Sequence, residues 1–156
     1  MRILVDGDSS GHRDYMVGLC KVTGAELVWV CNFANKPPVQ QDGLRLTVIL
    51  TDIQDQSADM QLMNLAGPED IVVTGDLGLA SVCMAKGAAA LSPRGFWFRH
   101  DKLEQSLEWR ALAARLKRGG VHLDKKSAAR RLDDHRFEEE LRHAVLDPRP
   151  PKAQER

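Results

Sequence analysis

Four aspartates carry most of the chemistry that this sequence can offer. Asp6 and Asp8 follow the apolar run Arg2–Val5, Asp76 follows Ile71–Thr74, and Asp59 sits inside Gln56–Leu65 among Ala58, Met60, Leu62, Met63 and Leu65. An aspartate just after a strand often caps the next helix, and Asp8 or Asp76 taken singly fits that role. Three at strand ends with a fourth on a helix suggest more. Carboxylates brought together repel and raise one another's pKa, a cost that a divalent cation removes. An all-oxygen cluster suits Mg²⁺ or Mn²⁺, which keep several waters and need neither His nor Cys. Such an ion would neutralise a phosphodiester oxygen and activate water for in-line attack. The expected chemistry is metal-dependent hydrolysis of a phosphate ester.

The elements that must position these residues alternate. Short apolar runs predict strands at Arg2–Val5, Ala25–Cys31, Leu44–Leu50, Ile71–Thr74 and Ala88–Leu91. Between them, three-to-four-residue periodicity predicts helices over Tyr15–Val22, Gln56–Leu65 and Leu77–Lys86. Strands alternating with helices through short loops argue for an α/β fold with a mostly parallel sheet. Ligands of such sheets sit beyond the carboxyl ends of the strands, near the point where strand order reverses, and the aspartates follow strands. Past Arg99 the pattern turns helical, with helices expected to about Lys117 and from Ser127 to Val145, broken by Gly119-Gly120. We read residues 1–146 as one domain, with 99–146 its helical part, and 147–156 as a frayed tail rich in proline.

The chain has 156 residues, 43% of them hydrophobic and 28% charged, enough apolar material for a core. Its 22 basic and 22 acidic residues balance overall but are unevenly spread. The front is acidic and the back basic, with Arg110, Arg115, Lys117, Arg118, Lys125, Lys126, Arg130 and Arg131 in the helical part. That run reads first as a solvated helix face and second as a surface for a polyanion. No run of eighteen apolar residues exists, so no membrane span is expected. Met1 opens directly into a strand, which argues against a secretory signal. Cys20, Cys31 and Cys83 are odd in number and set among apolar residues, as reduced core thiols of a cytoplasmic protein would be. No P-loop or Gly-x-Gly-x-x-Gly motif is present, so no nucleotide cofactor is expected.

Five segments come in a familiar order: Val5-Asp6-Gly7-Asp8-Ser9, Ser57-Ala58-Asp59, Asp70 through Leu77 with Leu79-Ala80, Lys86-Gly87-Ala88, and Ser92-Pro93-Arg94-Gly95. Together they resemble the bacterial YaiI/YqxD family (UPF0178, DUF188) over about residues 1–118. The resemblance implies a PIN-like, three-layer α/β/α domain with a metal held by acidic residues, in the manner of a ribonuclease. Carried over, Asp6, Asp59 and Asp76 become the catalytic carboxylates, and these three with Asp8 the ligands of Mg²⁺ or Mn²⁺. Ser9, Ser10 and Arg94 become substrate-binding residues, and RNA the expected partner. Departures are plain. Ser10-Gly11-His12 stand where the family has Cys-Pro-Val, and Gln56-Ser57-Ala58-Asp59-Met60 keeps one acid of the three in Asp-Ala-Ala-Asp-Asp. The family's Thr-Gly-Gly-Pro stretch is replaced by Val121-His122-Leu123-Asp124, while Asp133–Leu141 is similar to its final helix. With two carboxylates fewer, a one-metal site and a non-catalytic binding site both stay open.

Two other readings use the same residues. A strand running into Asp6-x-Asp8 resembles the opening of haloacid-dehalogenase-like phosphatases, which attack phosphorus with the first aspartate. Thr51, Lys86 and Asp76 would complete that set. Alternatively, a non-catalytic domain would bind RNA or a protein partner through the basic helices. The histidines show no ligand spacing; His12, near Asp8, reads as a surface residue or an aid to a leaving group. Trp29, Trp97 and Trp109 are assigned to packing.

Overall fold

The strand that ends at Asp6 is the centre of the sheet, and its apolar residues explain why. Ile3, Leu4 and Val5 are all fully buried, so both faces of this strand must be covered, as in a parallel sheet clothed by helices. The computed structural model describes residues 1–8, 11–32, 35–51, 57–99 and 127–147. Five strands are described: β1 (Arg2–Asp6), β2 (Glu26–Asn32), β3 (Arg45–Thr51), β4 (Asp70–Val73) and β5 (Ala89–Leu91). Their order is β3-β2-β1-β4-β5, and every pairing is parallel. The chain steps outward from β1 through β2 to β3, then crosses back to lay β4 on the other side of β1. The order therefore reverses at β1, and the crevice beyond β1 and β4 is where such a sheet takes a ligand.

Four helices are described: α1 (Arg13–Thr23), α2 (Ser57–Leu65), α3 (Leu77–Ala85) and α4 (Ser127–Leu146). Strand residues alternate between faces. Ile3, Val5, Leu27, Trp29, Ile71 and Val73 meet Met16 and Cys20 of α1 and Phe137, Leu141 and Ala144 of α4 in one core. Leu4, Val28, Val30 and Val72 meet Ala58 and Leu62 of α2 and Leu79 and Cys83 of α3 in the other. The result is a sheet between two helical layers. Phe137, Leu141 and Ala144 recur at helical spacing, so a single stripe of α4 seals the first core. Gly24 closes α1 in the left-handed conformation at φ 76°, its N–H returning to Cys20 O.

The sequence-predicted strands and helices agree with these elements to within a residue or two. The predicted helix ending near Lys117, the basic residues from Arg110 to Lys126 and the tail beyond Asp147 lie outside the described residues. So do Ser9 and Ser10. All three cysteines are free and buried, and burial pushes the Cys20 and Cys83 thiols up to about 11, as inert core thiols require. Among the described residues no helix is long and apolar enough to cross a membrane.

Candidate functional site

Parity places Asp6. It follows Leu4 by two residues, so its side chain belongs to the face covered by α2 and α3, at the carboxyl end of the central strand. There it is 5% exposed. Thr74, directly after β4 on the same face and wholly buried, donates its hydroxyl to Asp6 Oδ2 at 3.0 Å. The same Thr74 oxygen accepts the Asp76 N–H at 3.0 Å. The Asp8 N–H reaches Asp6 Oδ1 at 3.3 Å. Thr74 thus ties the two strand-end aspartates together across the crevice.

Asp76 opens α3. Its Oδ1 accepts the N–H groups of Gly78 at 2.8 Å and Leu79 at 3.2 Å, capping the helix. The capping reading holds, and the cap uses one oxygen of two. Asp59 lies in the first turn of α2, where the positive end of the helix favours a carboxylate. It stands three residues before Leu62, on the stripe that packs on the sheet. Because each of these helices runs back from the carboxyl ends of the strands, the starts of α2 and α3 fall at the same rim as Asp6. The electrostatics report that convergence: the Asp59 carboxyl is pushed above the ordinary carboxylate range by burial first, then by the charges of Asp6, Asp76 and Asp8.

Asp8 is drawn to one side. Its Oδ1 accepts the Asn32 N–H at 3.2 Å and the Asn35 side-chain amide at 2.6 Å, so it also organises the segment after β2. Among the described residues no three His, Cys, Asp or Glu side chains stand close enough to hold an ion between them directly. The donors these four aspartates offer are all oxygen, the ligand type that Mg²⁺ and Mn²⁺ take together with several waters. They include none of the Cys or His ligands on which zinc sites are usually built.

The other expected residues fall elsewhere. Arg94 is exposed in the turn after β5 and makes a long ion pair with Asp133 of α4 at 3.5 Å. His12 is not a surface residue. It is 11% exposed, stacks on Phe137 with ring centroids 3.9 Å apart and meets Pro93 O through Nε2 at 2.8 Å. A contact from so far along the chain leaves no local trace. The phosphatase set does not assemble. Lys86 follows α3 at the opposite edge of the sheet, where its Nζ holds the Met63 and Asn64 carbonyls at the end of α2. Thr51 ends the edge strand β3 and donates to Cys31 O.

Thr74 is the residue that sequence reasoning passed over; its only signal is a hydroxyl two positions before a helix-capping Asp. Thr74→Val keeps the shape but strands the Asp6 oxygen and the Asp76 N–H. A loss of about 1–3 kcal/mol is expected, read as a Tm several degrees lower, with Thr74→Ser recovering most of it.

Over residues 4–147 the chain matches the family model DUF188, described as "Uncharacterized BCR, YaiI/YqxD family". It is 28% identical over 141 residues to a UPF0178 protein of Alkaliphilus metalliredigens, covering 90% of this chain and 89% of that one. A UPF0178 protein of Bacillus cereus is 34% identical over 122 residues, 77% of this chain and 82% of the relative. Among solved structures, the crystal structure of Rae1 (YacP) from Bacillus subtilis superposes with a TM-score of 0.47 and 19% identity, covering 93% of this chain and 98% of that one.

Proposed function

This chain belongs to the YaiI/YqxD family, and on that footing we propose that it is a PIN-like, metal-dependent hydrolase of phosphodiester bonds whose substrate class is RNA. The observation that carries this reading is geometric: Asp6 and Asp76 are joined through Thr74 at the switch point of a parallel sheet, with Asp59 in the first turn of α2. Gathering like charges at one rim has an electrostatic cost, and a bound cation turns that cost into affinity. A divalent cation there supplies charge neutralisation at the phosphodiester and acidity for water. Asp6 is held in aim by Thr74 and the Asp8 N–H. Asp59, its pKa raised, is the member suited to take a proton from attacking water. Asp76 keeps one oxygen beyond the α3 cap, and Asp8 adds charge from the side.

The test is cleavage of labelled RNA and DNA oligonucleotides with Mn²⁺, Mg²⁺ or EDTA. Cleavage of RNA with metal and none in EDTA is expected; cleavage that persists in EDTA overturns the reading.

A second expectation concerns stability. The folded-state pKa of Asp59 lies above its unfolded value. As pH rises between the two, the unfolded chain releases its proton first and folding stability falls. Asp59→Asn is therefore expected to raise the metal-free Tm at neutral pH. The parent protein should gain about 2.7 kcal/mol from Mn²⁺ at a hundredfold excess over Kd, a gain that Asp59→Asn sharply reduces. Calorimetry with and without Mn²⁺ reads both; an unchanged gain would count against the ligand role.

A further inference from the structure

On the face of the sheet that carries Asp6, the strand register sets four residues in one row. Val5 pairs with Val73 and Val73 with Leu91, so the residues that follow, Asp6, Thr74 and Ser92, are level at the carboxyl rim. Leu91 also pairs antiparallel with Trp97. That pairing sets Phe96 opposite Ser92, and the Phe96 carbonyl accepts the Ser92 N–H at 2.9 Å. The row reads carboxylate, hydroxyl, hydroxyl, phenyl. Three strand spacings put its ends about 14 Å apart, a gap that a short stretch of single-stranded RNA spans.

Alternation decides which aromatic is available at the far end. Trp97 turns to the opposite face, where it packs on the first core and donates Nε1 to Glu140 of α4 at 2.9 Å. Phe98 packs against Ala80 and Met84 of α3. Phe96 shares the face of Phe98 but lies two residues nearer the rim, and it is 39% exposed. The two rings meet at 68° with centroids 5.3 Å apart, so Phe98 steadies a ring that stays open to solvent. The backbone behind it is held as well, since Gly95 lies against the α4 backbone. A ring on a fixed mount loses little freedom when it binds.

The charge beside the ring selects among ligands. Arg94 belongs to the same turn, and its side chain is 58% exposed, with only a long ion pair to Asp133 at 3.5 Å. A flat apolar ring next to a cation suits a nucleobase and its phosphate, because stacking accepts any base and the cation holds the backbone. We propose that Phe96 is the stacking platform for one base of the single-stranded RNA that crosses the carboxylate rim, with Arg94 on the adjoining phosphate. This rests on the proposed RNA substrate and adds to it the direction in which the strand leaves the rim, across β4 and β5.

Binding is read in EDTA, so that the outcome does not depend on cleavage. Anisotropy of a labelled RNA of about eight nucleotides, and of an abasic strand of the same length, gives Kd for the parent, Phe96→Ala, Phe96→Leu and Phe96→Trp. Phe96→Ala and Phe96→Leu should each weaken RNA binding about tenfold, the worth of one stacked base, and leave binding of the abasic strand unchanged. Phe96→Trp should bind RNA at least as tightly as the parent. Leu keeps an apolar contact with Phe98, so its loss of affinity at an unchanged Tm belongs to the aromatic ring. Unchanged RNA affinity in Phe96→Leu, an equal loss on the abasic strand, or a loss in Phe96→Trp as large as in Phe96→Ala would each overturn the assignment. No RNA binding by the parent would overturn it together with the RNA substrate. Intact cleavage beside unchanged affinity in Phe96→Leu removes this inference alone; failed cleavage beside an intact dependence on the ring removes the nuclease reading alone.

Discussion

Asp6→Asn is expected to lower metal-dependent RNA cleavage by about 10³-fold, the scale at which an active site loses an electrostatic group that acts in the transition state. The substitution keeps size and shape. The Asn oxygen can still accept from Thr74, so the link to β4 survives, while its NH₂ replaces the acceptor of the long 3.3 Å bond from the Asp8 N–H. A buried charge that presses on Asp59 is removed, and metal-free stability should hold or rise. The signature is therefore a split: activity collapses while Tm does not. Oligonucleotide cleavage and calorimetry on one preparation read the two sides. Activity within about threefold of the parent would mean that Asp6 makes no transition-state contact, and the carboxylate rim would lose its central member. A parallel loss of both would make Asp6 a structural residue.

The largest effect on stability is expected at Gly95. It closes the turn after β5 at φ 87° and lies against α4, where an added Cβ would stand 2.6 Å from Phe137 N and 2.9 Å from Arg136 C. Backbone atoms of a helix cannot swing aside as a flexible side chain can. Gly95→Ala should cost about 1 kcal/mol for the left-handed conformation. Overpacking adds about 1–3 kcal/mol more, and together they lower Tm by roughly 5–15 °C. Gly24→Ala separates the two terms, because Gly24 has φ 76° and nothing within 4 Å of an added Cβ. If Gly95→Ala proves no more costly than Gly24→Ala by thermal unfolding, the contact with α4 carries no weight.

Much of the frame was legible in the residues. Ile3-Leu4-Val5, Leu27-Val28-Trp29-Val30 and Ile71-Val72-Val73 are continuous apolar runs because both faces of those strands are covered, and such runs announce a parallel sheet. The aspartates at the ends of β1 and β4 could be found because ligand sites of these sheets fall there. What was hidden depends on contacts between distant segments. Thr74 matters through Asp6, Asp8 is pulled aside by Asn32 and Asn35, and His12 is buried by a phenylalanine of the last described helix. Local pattern reports which face an element buries; it says nothing about which partner arrives there. Arg94 shows the same limit, since its neighbour Asp133 comes from α4.

The placement of α4 has a bearing on how the molecule is made. Ribosomes deliver β1, α1 and β2 early, yet the stripe of Phe137, Leu141 and Ala144 that covers Ile3, Val5 and Trp29 emerges last among these elements. Until then the growing polypeptide carries a greasy, unsealed flank. Its first half waits on the last described helix, and the flank is sealed only once that helix has been delivered.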